Sequence, residues 1–329
     1  MIMSETFKHV FGPVPSRRLG RSLGVDLVPF KTCSYDCIYC QLGRTTCKTV
    51  ERKEWVPMHA VLDELKRKLA SRPDYITLSG SGEPTLHSRL GEIIDHIQAM
   101  SDVPVAVLTN GSLLCQKEVR EEVALADVVI PTLAAPDPER FEFINRPYSG
   151  ITFDQLVDGL AAFRREFVGR YWLEVMLLDA YTTLPPQVRQ LAGYAQRIQP
   201  DKVQLNTAVR PPAEQYALAV PPERLAELAR AFRPRAEVIA EYRGQPATGE
   251  LHASAEVVLT LLRRRPCTMP DIARGLGMKP AEVVKRLADL KRRGLVLGER
   301  RGLEQFYRAA PENTGAAFSR GKPRGNLHQ

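Results

Sequence analysis

Short apolar runs alternate with amphipathic stretches along most of the chain. Six runs rich in Val, Ile and Leu lack polar alternation, as strands buried on both faces do, and they cover residues 23–28, 75–80, 103–109, 127–133, 171–179 and 202–207. Apolar residues at helical spacing predict intervening helices over 57–71, 86–100, 113–125, 153–167, 185–198 and 221–232. This order predicts an α/β fold with a parallel sheet curved into a full or partial barrel; an open doubly wound sheet is the alternative.

The pattern changes after a segment of linker composition at 242–250. Three helices are predicted over 253–265, 269–276 and 279–293, followed by two strands within 295–309. Three helices and a β-hairpin predict a winged helix at 250–310, after a barrel at 1–245. Residues 311–329 have little apolar content, which predicts a disordered basic tail.

The composition is that of a soluble protein. The chain has 329 residues, of which 44% are hydrophobic and 26% charged. No apolar run approaches the roughly 18–20 residues that span a bilayer, and the first residues lack the basic-then-apolar pattern of an export signal. We therefore expect a cytoplasmic protein with no membrane partner.

The net charge of +8 lies in the last quarter of the chain. Residues 1–249 hold equal numbers of basic and acidic side chains, whereas 250–329 hold all of the excess. The basic residues of the last predicted helix and the hairpin include Lys285, Arg286, Lys291 and Arg300. They predict that nucleic acid binds through the winged helix. The alternative is a solvated charged face on a module that covers the barrel mouth or binds protein.

The cysteines carry the sharpest chemical signal. Cys33, Cys37 and Cys40 have the spacing C-x3-C-x2-C directly after the first predicted strand. Three thiolates at this spacing can each reach one iron of a [4Fe–4S] cluster and leave the fourth iron open. Tetrahedral zinc is the alternative, with Cys47 or His59 as a fourth ligand. Cys115 and Cys267 are predicted to be small apolar core residues.

Polar and glycine-rich residues follow several of the predicted strands. They include the segment Gly80-Ser81-Gly82-Glu83, the pair Thr109-Asn110, and Asn206. Ligands of parallel α/β sheets bind at the carboxyl ends of the strands, so these residues are candidate ligand contacts. Turn formation is an alternative explanation for the glycines and asparagines.

Several arginines are candidates for binding an anionic substrate. Arg17, Arg18 and Arg21 come just before the first predicted strand, and Asn145-Arg146 follows the fourth. A guanidinium group matches phosphate and carboxylate bidentately. Surface ion pairing is the alternative role for each of them.

The cysteine motif, with Tyr39 as the aromatic residue before the last cysteine, resembles the signature of the radical SAM superfamily. Gly80-Ser81-Gly82-Glu83 resembles the glycine-rich segment of that family. The resemblance covers about residues 10–245. Local strings such as Ile144-Asn-Arg-Pro147 are similar to one subgroup, the wyosine-base-synthase-like iron–sulfur oxidoreductases. Those synthases hold a second cluster on upstream cysteines, and no cysteine precedes Cys33 here.

The resemblance implies a partial (β/α)6 barrel and two cofactors, a [4Fe–4S] cluster and S-adenosyl-L-methionine. Cys33, Cys37 and Cys40 would hold the cluster, and Tyr39 would lie beside the adenine. Gly80, Gly82 and Glu83 would meet the methionine end of S-adenosylmethionine. The implied contacts at the remaining strand ends are weaker: Thr109, Asn110 and Asn206.

The implied activity is reductive cleavage of S-adenosylmethionine to a 5′-deoxyadenosyl radical, which abstracts hydrogen from a substrate. The substrate is an RNA base, a peptide or a small molecule, and the electron comes from a donor such as flavodoxin or ferredoxin. The alternative is an iron–sulfur-dependent regulator that binds nucleic acid through the winged helix. The glycine-rich segment with Glu83 favours the enzyme, because a regulator needs no methionine-binding loop.

Overall fold

A computed structural model describes residues 8–239, 254–302 and 304–310. The strands are β1 Val10–Ser16, β2 Gly20–Val25, β3 Thr32–Cys33, β4 Cys47–Lys48, β5 Tyr75–Leu78, β6 Val105–Thr109, β7 Val128–Leu133, β8 Arg170–Leu177, β9 Lys202–Thr207, β10 Glu237–Val238, β11 Cys267–Thr268, β12 Val296–Arg301 and β13 Glu304–Ala309. The α-helices are α1 Met58–Lys68, α2 Leu90–Met100, α3 Lys117–Val123, α4 Pro138–Asn145, α5 Phe153–Glu166, α6 Pro185–Ile198, α7 Pro222–Leu228, α8 Ala255–Arg264, α9 Met269–Leu276 and α10 Pro280–Arg292.

The main sheet has eight strands in the order β1-β2-β5-β6-β7-β8-β9-β10. β1 is antiparallel to β2, and every other neighbouring pair is parallel. The strands follow one another in chain order, so the sheet has none of the order reversal of a doubly wound fold. The sheet is therefore a partial barrel, and the predicted α/β fold class is confirmed.

The six predicted strands correspond to β2 and to β5 through β9. Two strands of the sheet were not predicted. β1 reads Val-Phe-Gly-Pro-Val-Pro-Ser, in which Gly12 and two prolines obscure the strand pattern. β10 is only two residues long and pairs with Gln204 and Leu205 of β9. Both missed strands lie at the edges of the sheet, where tertiary packing contributes more than sequence pattern.

The helices pack an extended apolar core against the sheet. Buried residues from α1, α2, α5 and α6 join the inward residues of the strands in one large cluster, for example Leu65, Ile94, Leu160 and Leu191. The helix α4 was not predicted because its sequence, Pro-Glu-Arg-Phe-Glu-Phe-Ile-Asn, has no continuous apolar stripe. It begins at Asp137, whose side chain accepts a hydrogen bond from the Arg140 amide.

Residues 254–302 and 304–310 form what we call the C-terminal unit. Its elements are α8, α9, α10 and a three-stranded antiparallel sheet in the order β11-β13-β12. Val258, Leu262, Ile272 and Leu287 contribute to a core that is separate from the barrel core. The three predicted helices and the predicted hairpin are present. The predicted linker at 242–250 and the predicted tail at 311–329 lie outside the described residues.

The C-terminal unit packs against β1 and the carboxyl ends of the barrel strands. Val14 of β1 packs on the core of the unit. Arg264 forms an ion pair with Asp26 after β2 and donates a hydrogen bond of 2.9 Å to the Lys8 carbonyl oxygen. Arg301 donates to the carbonyl oxygens of Arg210, at 2.9 Å, and Ala217, at 3.3 Å. The unit thus covers the barrel mouth.

None of the described helices combines the length and apolar character needed to cross a membrane.

Candidate active site

The segment 31–41, which we call the cysteine loop, is held by backbone hydrogen bonds to neighbouring loops. The Lys31 amide donates to the Ser81 carbonyl oxygen at 2.6 Å, and the Glu83 amide donates to the Thr32 carbonyl oxygen at 3.1 Å. On the other side, the Ile38 amide donates to the Ile144 carbonyl oxygen at 2.9 Å. These bonds hold the cysteine loop between the segment that follows β5 and the last turn of α4.

Two buried side chains anchor the cysteine loop in the core. Tyr35 is 1% exposed and meets Phe141 edge to face, with ring centroids 5.5 Å apart. Ile38 is fully buried in a small cluster with Ala134 and Met176, against which Tyr39 also packs. Tyr35, Ile38 and Tyr39 between the cysteines thus pack into the core and position the thiols.

Each of the three thiols has a nitrogen donor of its own. The Asn110 side-chain amide lies 3.5 Å from Cys33 Sγ, the Asn145 amide lies 3.6 Å from Cys37 Sγ, and Lys31 Nζ lies 3.2 Å from Cys40 Sγ. Burial raises the pKa of the Cys33 thiol to about 12 and raises the pKa of Cys37 as well. Thiolates in this setting need a compensating positive charge, which iron held by these cysteines would supply.

The donor set fits an iron–sulfur cluster. Cysteine thiolates are the usual ligands of such clusters, and N–H donors to the sulfurs help to set the reduction potential of the cluster. Among the residues that the structure describes, no three Cys, His, Asp or Glu side chains converge to hold a single metal ion. Within those residues, neither Cys47 nor His59 forms such a group with the three cysteines.

The glycine-rich segment after β5 lies against the cysteine loop. A Cβ atom on Gly82 would lie 1.7 Å from the Thr32 carbonyl oxygen. Gly80 has φ of +126°, and a Cβ atom there would lie 2.3 Å from Asp26 Oδ1. Both positions require glycine because the protein's own chain approaches so closely. Both also line the cavity described below, and the family resemblance predicts that they meet the methionine end of S-adenosylmethionine.

Glu83 is 2% exposed and its carboxylate is fully bonded. Its Oε1 accepts from the Thr85 amide and from the hydroxyls of Thr85 and Thr109, and its Oε2 accepts from the Asn110 amide at 2.7 Å. Burial raises the pKa of Glu83 despite these donors. The structure thus brings together three predicted site residues, Glu83, Thr109 and Asn110. They bond to one another, and these bonds link the ends of β5 and β6.

A cavity of about 290 Å³ opens beside the cysteine loop. Its lining includes Cys33, Cys40, Tyr39, Gly80, Gly82 and Asn206. Arg17, Arg18, Lys31, Glu174 and Arg210 complete its polar wall. Asn206 accepts a hydrogen bond of 2.9 Å from Arg17, and Glu174 forms an ion pair with Arg18. Cys37, Glu83, Thr109 and Asn110 support this cavity without lining it.

Several predicted residues lie elsewhere. Arg21 donates to the Ser71 carbonyl oxygen on the far side of β2, and Arg146 pairs with Glu214 at 2.8 Å. These two arginines are therefore structural ion-pair or hydrogen-bond residues. Cys115 is exposed, so its prediction as a core residue is wrong, whereas Cys267 is buried as predicted.

Sequence reasoning missed the arginines that come from distant segments. Arg210 follows β9, and Arg264 and Arg265 end α8, yet all three line the cavities at the barrel mouth. Their positions in the sequence resemble ordinary surface arginines. The run of arginines at 263–265 next to a predicted helix end is the one signal that pointed to them.

Comparison with known proteins identifies the family. The family model described as the radical SAM superfamily matches residues 27–190. A UPF0026 protein of Synechocystis sp. is 40% identical over 211 residues, which are 64% of this chain and 78% of that protein. The chain belongs to the radical SAM superfamily. The narrower resemblance to wyosine-base synthases stays a prediction.

Other relatives of this radical SAM chain are matched over a smaller share of their own length. A Brachyspira hyodysenteriae protein named GTPase Obg is 37% identical over 297 residues, which are 89% of this chain and 44% of that protein. A UPF0026 protein of Methanocaldococcus jannaschii is 36% identical over 210 residues, or 63% of this chain and 65% of that protein. The chain spans less than two thirds of either relative. A radical SAM methyltransferase crystal structure from Sphaerobacter thermophilus has 17% identity and a TM-score of 0.49, with 68% and 67% of the two chains covered.

Proposed function

We propose that the chain is an enzyme that cleaves S-adenosylmethionine reductively and uses the resulting radical to abstract hydrogen from a substrate. The observation that carries this proposal is the cysteine loop, whose Cys33 and Cys40 open onto the same cavity as Gly80 and Gly82. When bound, a [4Fe–4S] cluster supplies the electron that breaks the sulfonium bond and yields the 5′-deoxyadenosyl radical. The protein supplies position and protection.

The residues of the site divide into three roles. Cys33, Cys37 and Cys40 hold the cluster, and the donors from Lys31, Asn110 and Asn145 lie near their sulfurs. Hydrogen bonds to sulfur tune the potential of such a cluster. Tyr39, Gly80, Gly82 and Asn206 line the space for S-adenosylmethionine. Glu83 and Thr109 act indirectly, because they hold Asn110 against Cys33.

The site is flanked by apolar packing and by the C-terminal unit. Ile38, Ala134 and Ile144 form a buried apolar layer beneath the cysteine loop. The C-terminal unit covers the opposite side through Arg264 and Arg301. An enclosed site limits side reactions of a radical, so this cover supports the proposed chemistry.

The test is anaerobic reconstitution with iron and sulfide, followed by addition of reductant, S-adenosylmethionine and a substrate-rich extract. We expect 5′-deoxyadenosine from the native chain and none from Cys37→Ala. Cys115→Ala is the matched control, since Cys115 is an exposed cysteine outside the cavity. Absence of 5′-deoxyadenosine from the native chain with an intact cluster would reject the enzyme. Zinc that copurifies and is lost in Cys47→Ala would reject the open cluster.

We further propose that the C-terminal unit is a winged helix whose exposed basic residues bind nucleic acid. Lys285, Arg286 and Lys291 lie on the solvent side of α10, while Val283 and Leu287 of the same helix are buried. The docking contacts to the barrel come from α8, α9 and the hairpin, so this basic face of α10 is exposed to a partner. A flavodoxin or ferredoxin is the proposed electron donor in a cytoplasmic setting.

A further inference from the structure

A second cavity adjoins the first and extends to the C-terminal unit. It measures about 240 Å³ and shares Arg17, Arg18, Gly80 and Arg210 with the cavity at the cysteine loop. Arg264 and Arg265, from the end of α8, form part of its wall. Two units of the chain that are distant in sequence therefore build one continuous space beside the cysteines.

The space is rich in guanidinium groups and poor in carboxylates. Arg17, Arg18, Arg210, Arg264 and Arg265 line it, whereas Glu174 is the carboxylate in the lining. Glu174 already pairs with Arg18, and Asp26 already pairs with Arg264. Within the described residues, neither Arg210 nor Arg265 has a carboxylate partner. Asp271 is the carboxylate whose charge acts on Arg210, and it is bonded to the Thr268 amide and to Arg274.

Each of the two arginines has one nitrogen atom without a hydrogen-bond partner in the described part of the chain. The Nε atoms of Arg210 and Arg265 are buried and have no hydrogen-bond partner among the described residues. Burial, together with the neighbouring Arg265 cation, lowers the pKa of Arg210 to about 10. Burial and the Arg210 cation likewise lower the pKa of Arg17 to about 9. Buried like charges with unfilled donors are costly to the free protein, and a bound anion would relieve that cost.

We propose that Arg210 and Arg265, with Arg17, bind a phosphate group of the substrate. This inference rests on the proposed function, because it places the substrate beside the S-adenosylmethionine cavity. Arginine forks bind phosphate oxygens bidentately, and three of them around one space suit a doubly charged phosphate ester or diphosphate. The C-terminal unit covers the space, so the substrate is a small phosphorylated molecule. Its phosphate lies at the α8 end, and its reacting carbon lies toward the cysteine loop.

The test measures binding of inorganic pyrophosphate to the reconstituted full chain by calorimetry, with chloride to hold the ionic strength constant. We expect Arg265→Met and Arg210→Met each to weaken binding by about tenfold or more, as for the loss of a charged hydrogen bond. Arg189→Met removes the same charge from an exposed position of α6 and should leave the affinity unchanged.

Thermal unfolding separates a binding role from a structural one. Without pyrophosphate, Arg265→Met should unfold a few degrees higher than the native chain, because a partly buried cation without a carboxylate partner in the described ranges is gone. With pyrophosphate, the native chain should be stabilised and the variant should not. A lower unfolding temperature for both Arg265→Met and Arg210→Met, with pyrophosphate affinity retained, would assign the arginines to structure and overturn the proposal.

Two competition experiments complete the test. Added S-adenosylmethionine should leave pyrophosphate bound. Displacement of pyrophosphate by S-adenosylmethionine would show that the arginines bind the cofactor carboxylate, which would overturn the proposal. Duplex DNA at equal phosphate concentration should not displace pyrophosphate, and displacement would reassign the arginines to a nucleic-acid surface. Formation of 5′-deoxyadenosine without pyrophosphate binding would leave the proposed function standing and reject this inference alone. Pyrophosphate binding without formation of 5′-deoxyadenosine would reject the proposed function and leave the phosphate site standing.

Discussion

Single side chains set the charge of the cavity, and Glu174 is the clearest case. Burial alone would raise the pKa of its carboxyl, but Arg18 and Arg17 hold that pKa below its usual value. Ionised Glu174 thus stabilises the fold above the pKa of the unfolded chain, and this contribution is lost as the pH falls through the lowered pKa.

We therefore expect Glu174→Gln to lower the free energy of unfolding by about 3 kcal/mol at neutral pH, because it leaves Arg18 buried without its partner. The loss should shrink as the pH falls below about 4, where the native carboxylate also becomes protonated. Denaturant unfolding across that pH range measures the difference. Glu139→Gln, at a side chain that is 92% exposed, should cause no such change. A pH-independent loss would contradict the role of the ion pair.

A second prediction at this scale concerns Gly82. Gly82→Ala places a Cβ atom against the Thr32 backbone, so the cysteine loop must move. We expect less iron and sulfide per chain after reconstitution and a lower unfolding temperature. Gly193→Ala in α6 meets open space and should stabilise slightly, by about 0.5–1 kcal/mol. Equal iron content in the two variants would show that the loop tolerates the change.

The sequence specified some of these residues and not others. The spacing of Cys33, Cys37 and Cys40 is local, so eight consecutive residues were enough to predict it. The bonds of Glu83 to Thr109 and Asn110 cross between strands, so the sequence placed these residues together without showing that they bond to one another. Arg210 and Arg265 meet only through docking of the C-terminal unit, which no local pattern encodes.

At the scale of elements, the six central strands were predictable because burial on both faces leaves a continuous apolar run. The edges were not: β1 and β10 owe their pairing to one neighbour each. The helices α5 and α6 were placed within one or two residues, since both start with strong signals. Thr152 caps α5 through the Gln155 amide, and prolines open α6.

The hairpin β12–β13 yields a prediction about docking. Arg301 at its end donates to two carbonyl oxygens of the segment after β9, and burial lowers its pKa. Arg301→Met should weaken docking by about 1–3 kcal/mol, as expected for hydrogen bonds from a charged donor. Hydrogen–deuterium exchange should rise in β12–β13 and in residues 208–218. The adjacent, exposed Arg300→Met should leave exchange unchanged, and equal exchange in both variants would contradict this contact.

At the scale of the whole molecule, the charge is divided between two surfaces. Arg264, Arg265 and Arg301 of the C-terminal unit face the barrel, while Lys285 and Arg286 face solvent. The described basic residues of the last quarter therefore lie on two surfaces rather than one. Counting charges along the sequence predicted the excess of positive charge. Only the fold shows which of these basic residues face the barrel and which face solvent.

The outer surface gives the last prediction. The double variant Lys285→Glu with Arg286→Glu should weaken binding of duplex DNA by at least about tenfold at roughly 0.1 M salt and reduce the salt dependence of the affinity. Fluorescence anisotropy over a range of salt concentrations measures both. Arg165→Glu with Arg189→Glu, on exposed positions of α5 and α6, is the charge-matched control. Binding that is insensitive to salt, or equal in both variants, would contradict the phosphate contacts.

The packing of Val14 on the C-terminal unit bears on how the protein is made. The ribosome delivers β1 and the cysteine loop before the unit that packs on β1. Domains generally fold as units in the order of their synthesis, so the barrel can form while its mouth is still uncovered. The C-terminal unit then docks on a barrel that is already folded. Formation of the barrel and closure of its mouth are thereby ordered by the direction of synthesis.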